Sequence, residues 1–194
     1  MDIDNQAVVK TKVVVVGNGM VGHHFVEQLV ELSNSEQAVE ITVLCAESRL
    51  AYDRVHLSEY FAGKSAADLA MTDEKTYQQW QVNFAVDAKV SHIDKAQGFV
   101  ETEQGERYHY DKLVLATGSY PFVPPIPGKD REHCLVYRTI DDLDAIQASA
   151  DKSKVGVVIG GGLLGLEAAN ALKQLGLKTH VVEFAPQLMG VQVD

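Results

Sequence analysis

The sequence predicts an α/β protein built on two parallel βαβ units, the first interrupted by an antiparallel β-meander. Three observations carry this. Two strand-like runs open these units: Lys12–Val16, apolar and β-branched with no alternation, as expected of a strand buried on both faces of a parallel sheet, and Val155–Ile159. Each run is followed at once by a glycine-rich turn and then by apolar residues at helical spacing. Between the two units, the stretch from Val82 to Tyr110 breaks into short β-rich pieces, with a turn signal at Gln104-Gly105.

Taken in order, the first strand leads into a helix from Met20. Its apolar residues recur at Val21, Phe25, Leu29 and Leu32, with Val26 and Val30 beside them, giving one broad apolar face. Ser33–Ser35 reads as a loop and Glu40–Cys45 as the second strand, which completes a βαβ unit. Ala46–Lys64 has no clean periodicity and reads as a functional loop or a short irregular helix. Ala66–Trp80 reads as helix, with Trp80 as a core residue. "NFAV", "AKVSHI", "GFVET" and "ERYHY" are the pieces of the meander, and Lys112–Gly118 returns to a buried strand. Pro121–Gly128, "PFVPPIPG", reads as a linker or stiff crossover, because its prolines lack N–H donors. A helix over about Asp141–Ala150 precedes the second unit. That unit has its strand at Val155–Ile159, its helix at about Leu163–Leu175 and its last strand at Thr179–Glu183. The expected domains are residues 1–150 and 151–194.

Composition narrows the function. Of 194 residues, 46% are hydrophobic and 23% charged, the balance of a globular chain rather than a disordered one. The formal net charge of -10 argues against nucleic acid and against an anionic membrane surface as partners, since both require a basic face. The acidic N-terminus lacks the apolar core of a signal peptide, and no apolar run reaches the roughly 18 residues of a membrane span. Cys45 and Cys134 are far apart and in no metal-ligand or CxxC spacing; Cys45 reads as a small core residue. These features favour the cytoplasm. His23-His24 suggests metal at first sight, but adjacent helical positions point about 100° apart and do not converge on one ion.

The two glycine turns carry the chemistry. Gly17-Asn18-Gly19-Met20-Val21-Gly22 has the GxGxxG spacing: Gly17 for the tight turn, Gly19 for close approach of the backbone to a pyrophosphate, Gly22 for close helix–strand packing. The anion would rest on the free N–H groups of the helix N-terminus. Glu47, past the second strand, is placed to accept hydrogen bonds from ribose hydroxyls. Gly160-Gly161-Gly162-Leu163-Leu164-Gly165 repeats the pattern, with Glu183 ending its following strand. Glu183 would repel a 2′-phosphate, and Phe184-Ala185-Pro186 supplies no Arg to hold one, which favours NADH over NADPH. Two Rossmann-like dinucleotide sites in one chain imply electron transfer between two dinucleotides.

With both fingerprints in place, the chain resembles the two-dinucleotide-binding-domain flavoproteins, in which an NAD(P)H domain interrupts an FAD domain. "YDKLVLATGS", Tyr110–Ser119, is similar to that superfamily's second FAD signature, which implies that Thr117 and Gly118 lie close to the flavin nucleotide. "VYRTIDDLDAI" resembles its crossover into the NAD domain. "GNGMVGHHF", "AYDRVHLSEYF", "ATGSYPFVPPIPG", "VYRTIDDL" and "GGGLLGLEAANALKQLGLKTHVVEFAPQLM" together resemble the N-terminal flavoprotein part of the assimilatory NAD(P)H nitrite reductase large-subunit family, from about Thr11 onward.

The resemblance implies a first site for FAD at Gly17, Gly19, Gly22, Glu47, Arg54, Thr117 and Gly118, and a second for NAD at Gly160, Gly162, Gly165 and Glu183. Arg54 would contact the flavin or its pyrophosphate; the alternative is a surface arginine paired to Asp53 or Glu59. Glu167 would lie on the nicotinamide side, or else is a carboxylate stabilised by the helix N-terminus. Related flavin reductases carry Arg-Pro-x-Leu-Ser-Lys in this loop. Here Val55 replaces the Pro and Glu59 the Lys, and there is no redox cysteine. The electrons would therefore leave the flavin for an external or downstream acceptor: a further domain, or a small electron-transfer protein. In the resembled family that domain holds an iron–sulfur cluster and sirohaem, which need clustered cysteines absent here. The expected activity is electron transfer from NADH to FAD. The alternatives are a rubredoxin or ferredoxin reductase, or an inactive nucleotide-binding fragment. A homodimer is compatible with either enzyme. The chain is expected to be a fragment, with apolar surface left uncovered on its second βαβ unit.

Overall fold

The structure, a computed structural model, describes residues 10–33 and 39–190. The Ser33–Ser35 loop therefore lies, past Ser33, outside the described residues, as do the final residues of the chain. In chain order the elements are β1 (Thr11–Val16), α1 (Met20–Leu32), β2 (Val39–Leu44), a 3₁₀ turn (Leu57–Ala62), α2 (Ala66–Leu69), α3 (Glu74–Gln79), β3 (Asn83–Ala85), β4 (Val90–Asp94), β5 (Phe99–Thr102), β6 (Arg107–His109), β7 (Lys112–Leu115), α4 (Ile140–Ala150), β8 (Val155–Ile159), α5 (Leu163–Gln174) and β9 (Lys178–Val182). The chain divides into two compact units, Met1–Tyr52 with Ala70–Ser119, and Asp53–Leu69 with Tyr120–Asp194.

The first unit is organised by β1. It lies inside a parallel sheet of order β3-β2-β1-β7, with Val13–Val16 in register with Ile41–Leu44 on one side and Lys112–Leu115 on the other. Its four valines are all buried, and their alternation divides them between two cores. Val13 and Val15 pack with Val26, Ile41, Val43, Tyr77 and Val82. Val14 and Val16 pack with Leu44, Ala88 and Val100, the last from the meander. Burial of each such side chain is worth about 1.5–3 kcal/mol, so the uninterrupted Val run is the main reason the sheet holds.

Three expectations need correction here. The piece "NFAV" is not a meander strand: β3 joins the parallel sheet at its edge, pairing with Thr42–Leu44 of β2. The antiparallel meander is β4-β5-β6 alone, with Gly105 at positive φ in the predicted turn. The single helix expected over Ala66–Trp80 is two short ones. The chain between them is extended: Ala70 bridges Tyr52, the Met71 N–H donates to the Ala51 carbonyl (2.9 Å), and Asp73 caps α3 through the Thr76 N–H (2.8 Å). The broad apolar face predicted for α1 is buried only on its Val26, Leu29 and Val30 side. Gly22, His23 and Val26 are buried and Leu29 and Val30 pack beside them, while Val21 and Leu32 are each 75% exposed. The cause is Gly22: it must face Gly17, and this fixes which side of the helix meets the sheet.

The second unit contains the parallel pair β8-β9, joined by α5, with Val155–Ile159 opposite Lys178–Val182. Leu172 and Leu177 pack against Gly156 on the helix side of β8. On the other side, Val155, Val157, Ile159 and Val182 are exposed, the uncovered apolar surface that the sequence led us to expect. Pro121–Gly128 is irregular, as its prolines require. Among the described residues, no helix is long and apolar enough to cross a membrane.

Candidate functional site

The first fingerprint turn connects β1 to α1. Gly17 has φ +105°, a conformation that suits glycine, and a Cβ there would lie 2.2 Å from the Ala116 carbonyl oxygen and 3.1 Å from the Thr117 nitrogen. The turn therefore packs against the end of β7, and the structure brings Gly17 close to Thr117. Gly118 follows at φ +68°. Gly22 sits over Gly17, its missing Cβ only 2.1 Å from the Gly17 oxygen. Gly19 is the N-cap of α1, with no side-chain cap and no acidic residue in the first turn. Glu47 accepts a hydrogen bond from the Tyr52 hydroxyl at 2.6 Å.

Beneath this turn is a buried polar chain that the sequence reading missed. Asn18, His23 and Tyr77 are 4%, 4% and 0% exposed. The Tyr77 hydroxyl donates to Asn18 Oδ1 at 2.9 Å, and His23 Nδ1 is 3.1 Å from the same hydroxyl. His23, Tyr77 and Trp80 stack with centroids 5.9–6.0 Å apart, and Trp80 packs on the core as expected. Burial pushes the Tyr77 phenol up to about 12 and lowers the His23 pKa, although Glu27 opposes the latter. His24 faces outward, its side chain 68% exposed, so the two histidines diverge as their helical spacing dictates. Among the described residues, Asn18 Nδ2 is buried without a hydrogen-bond partner, a cost of about 1–3 kcal/mol carried inside the turn. The signal available was Asn between two glycines, followed five residues on by a His on the side of α1 that Gly22 selects.

The second fingerprint repeats the geometry. Gly160 has φ +113°, and a Cβ on Gly165 would lie 2.0 Å from the Gly160 oxygen. Gly162 is the N-cap of α5, again with no side-chain cap and no acid in the first turn. Glu183 closes the turn: its carboxylate accepts from the Gly161 N–H at 2.5 Å and the Ala185 N–H at 2.8 Å. These backbone hydrogen bonds hold its carboxyl below the ordinary range.

Arg54 belongs to the second compact unit, where Nη1 donates to the Arg138 carbonyl at 3.1 Å. In the same loop, His56 Nδ1 lies 2.6 Å from Asp53, and Glu59 pairs with Lys64. Glu167 lies beyond the first turn of α5, so it is not the helix N-terminal carboxylate of the alternative reading. Burial of the Tyr137 phenol, with a smaller contribution from the Glu167 charge, raises its pKa to about 12. Cys45 is buried, as expected, and Cys134 is exposed.

The helix N-termini differ in how their first amides are satisfied. α3 and α4 satisfy their own first amides: Asp73 caps α3, and Thr139 and Asp142 form a reciprocal capping box on α4. α1 and α5 begin at glycine and have no side-chain cap. Their first-turn N–H groups and the helix dipole are left for an external anion, and the glycines remove the side chains that would block its approach. Two dinucleotide pyrophosphates fit these two cradles. The capping box is testable by itself: Thr139→Ala should lower stability by about 1 kcal/mol in urea denaturation without altering either fingerprint.

Strand, glycine turn, uncapped helix and acidic strand end, each present twice, define a dinucleotide-dependent oxidoreductase fold. The chain belongs to the pyridine nucleotide-disulphide oxidoreductase family, whose model matches residues 11–194. It is 57% identical over 185 residues to the nitrite reductase [NAD(P)H] large subunit of Klebsiella oxytoca, covering 95% of this chain and 19% of that protein. Identity to the nitrite reductase (NADH) large subunit of Escherichia coli (strain K12) is 49%, covering 95% of this chain and 22% of that one. The chain thus spans about a fifth of the length of these curated relatives. Among solved structures, it is similar to a ferredoxin reductase from Rhodopseudomonas palustris, with a TM-score of 0.86 and 28% identity over 95% of this chain and 45% of the other. The NADH:rubredoxin oxidoreductase from Clostridium acetobutylicum matches with a TM-score of 0.78 and 26% identity, over 90% and 45% of the two chains.

Proposed function

We propose that the chain is the nucleotide-binding part of an NADH-dependent flavoprotein reductase of the nitrite reductase kind, acting in the cytoplasm. Residues 1–150 form the FAD domain and residues 151–194 open the NAD(H) domain. The observation that carries the reading is the selective absence of caps: among the described α-helices of six residues or more, the two that follow glycine fingerprints have no side-chain cap, while α3 and α4 cap themselves.

In this reading the Gly17, Gly19 and Gly22 turn holds the FAD pyrophosphate on α1, and Glu47 orients the ribose. Thr117 and Gly118, against Gly17, bound the flavin nucleotide. Gly160, Gly162 and Gly165 hold the pyrophosphate of NADH, with Glu183 at the adenosine ribose. When bound, the two groups supply hydride transfer from nicotinamide to flavin. The protein's part is to bind and orient them and to exclude water. Reduction of nitrite to ammonia would belong to a longer protein with an iron–sulfur cluster and sirohaem, since Cys45 and Cys134 form no ligand cluster. The second reading, a reductase for rubredoxin or ferredoxin, is favoured by the fold likeness to such reductases. Val55 and Glu59 count against it, and Glu59 is already engaged by Lys64.

The test is spectroscopic. The purified chain incubated with FAD should keep flavin absorbance at roughly 450 nm after desalting, and NADH should bleach it without air. A chain that remains colourless with excess FAD would overturn the reading.

A further inference from the structure

We propose that Tyr77 is a positioning residue for the first dinucleotide turn, acting through Asn18, with His23 fixing the orientation of its hydroxyl. The proposal rests on the reading of that turn as a pyrophosphate cradle. The turn is held by backbone contacts, Gly17 N–H to the Leu44 carbonyl at 2.8 Å and Gly17 against Ala116, with few side chains of its own to add to them. Gly17 and Gly19 bear no side chains, Gly17 sits at φ +105°, and α1 opens without a cap. Asn18 is the one residue between the two glycines with a side chain, and that side chain is tied to Tyr77, which lies 59 positions later in the chain, on α3. The conformation of the cradle is thereby fixed from a distant element and not by local turn propensity.

The hydrogen-bond order follows from proton count. The single hydroxyl proton of Tyr77 goes to Asn18 Oδ1, so the Tyr77 oxygen must accept from His23, which carries its proton on Nδ1. The ring packs beside both Tyr77 and Trp80, the three centroids 5.9–6.0 Å apart, and it faces Glu27 and His24 on its own helix. Three polar side chains, each at least nine-tenths buried, are an expensive way to fill a core that Phe and Leu could fill. A fully directed network of this kind specifies one arrangement of the residues it joins.

Tyr77→Phe removes the hydroxyl and keeps the ring. Hydrogen exchange of the Gly19–Gly22 amides in the unliganded chain should accelerate about tenfold or more relative to the β1 amides, and FAD should bind about tenfold more weakly. Trp80→Phe, which disturbs the stack but leaves the hydroxyl chain, should lower global stability with no change confined to the turn. Asn18→Ala should reproduce the Tyr77→Phe exchange pattern and guards against a folding failure of the first variant. Turn amides in Tyr77→Phe that keep their native rate relative to β1, or an equal turn effect from Trp80→Phe, would overturn the proposal. Failure of the native chain to bind FAD would instead count against the function proposed above, and the exchange result would still decide this one.

Discussion

Gly22→Ala should abolish flavin binding and destabilise the first unit by about 3 kcal/mol or more, beyond the usual cost of overpacking. The added Cβ would lie 2.1 Å from the Gly17 carbonyl oxygen, and the obstacle is backbone at a turn that is itself packed on Ala116. No rotamer change can relieve it; α1 must lift from β1, taking Val26 and His23 out of the core and the first-turn amides away from the cradle. Gly165→Ala should do the same to NADH binding, since its Cβ would meet the Gly160 oxygen at 2.0 Å. The first glycines of the two turns should differ. Alanine at 160 would meet nothing within 4 Å and carries only the strain of positive φ, about 1–2 kcal/mol, whereas alanine at 17 also strikes the Ala116 oxygen at 2.2 Å. Flavin titration and urea denaturation of the four variants check the ranking. A Gly22→Ala chain that unfolds at the native midpoint and binds FAD within threefold of native affinity would refute the packing argument.

Those same contacts explain how much could be read in advance. The glycine spacing prescribes close helix–strand approach, so both fingerprints and their four flanking strands followed from sequence almost residue for residue. The uninterrupted Val13–Val16 run announced a two-faced strand, and each face has its own core. The apolar face of α1 is broader in the sequence than in the structure: Gly22 must sit on Gly17, and helical spacing then sends Val26, Leu29 and Val30 of that face inward and leaves Val21 and Leu32 outside. Three-residue strands such as Asn83–Ala85 carry too short a pattern to reveal whether their neighbour is parallel or antiparallel. The break at Met71–Asp73 depends on a bond to Ala51, a partner that periodicity cannot show, although Asp73 three residues before Thr76 was a legible cap. The Asn18–Tyr77–His23 chain draws on Tyr77, more than fifty positions from the other two, and nothing local to Asn18 or His23 announces that partner.

Glu183→Gln should reduce discrimination between NADH and NADPH by about tenfold, chiefly through weaker NADH binding and reduced repulsion of the 2′-phosphate. The carboxylate works in two directions. It accepts from the Gly161 and Ala185 N–H groups, bracing the glycine turn against the end of β9, and it places negative charge where an adenosine ribose would sit. Glutamine has one acceptor oxygen and two N–H donors, so one of the two backbone N–H groups loses its partner and the charge is gone. The same bonds set the pH response. They hold the folded-state pKa below the ordinary 4.5, so the carboxylate's contribution is complete above that value and is lost as pH falls through the folded-state pKa. The second unit's unfolding midpoint should therefore be flat from neutral pH to near 5 with respect to this group, and decline below it. In Glu183→Gln that part of the decline should vanish. Equilibrium titration with NADH and NADPH, and denaturation from pH 3 to 7, measure the two effects separately. If selectivity stays at the native value while the acid limb flattens, Glu183 braces the turn without reading the ribose, and any preference for NADH arises from other residues.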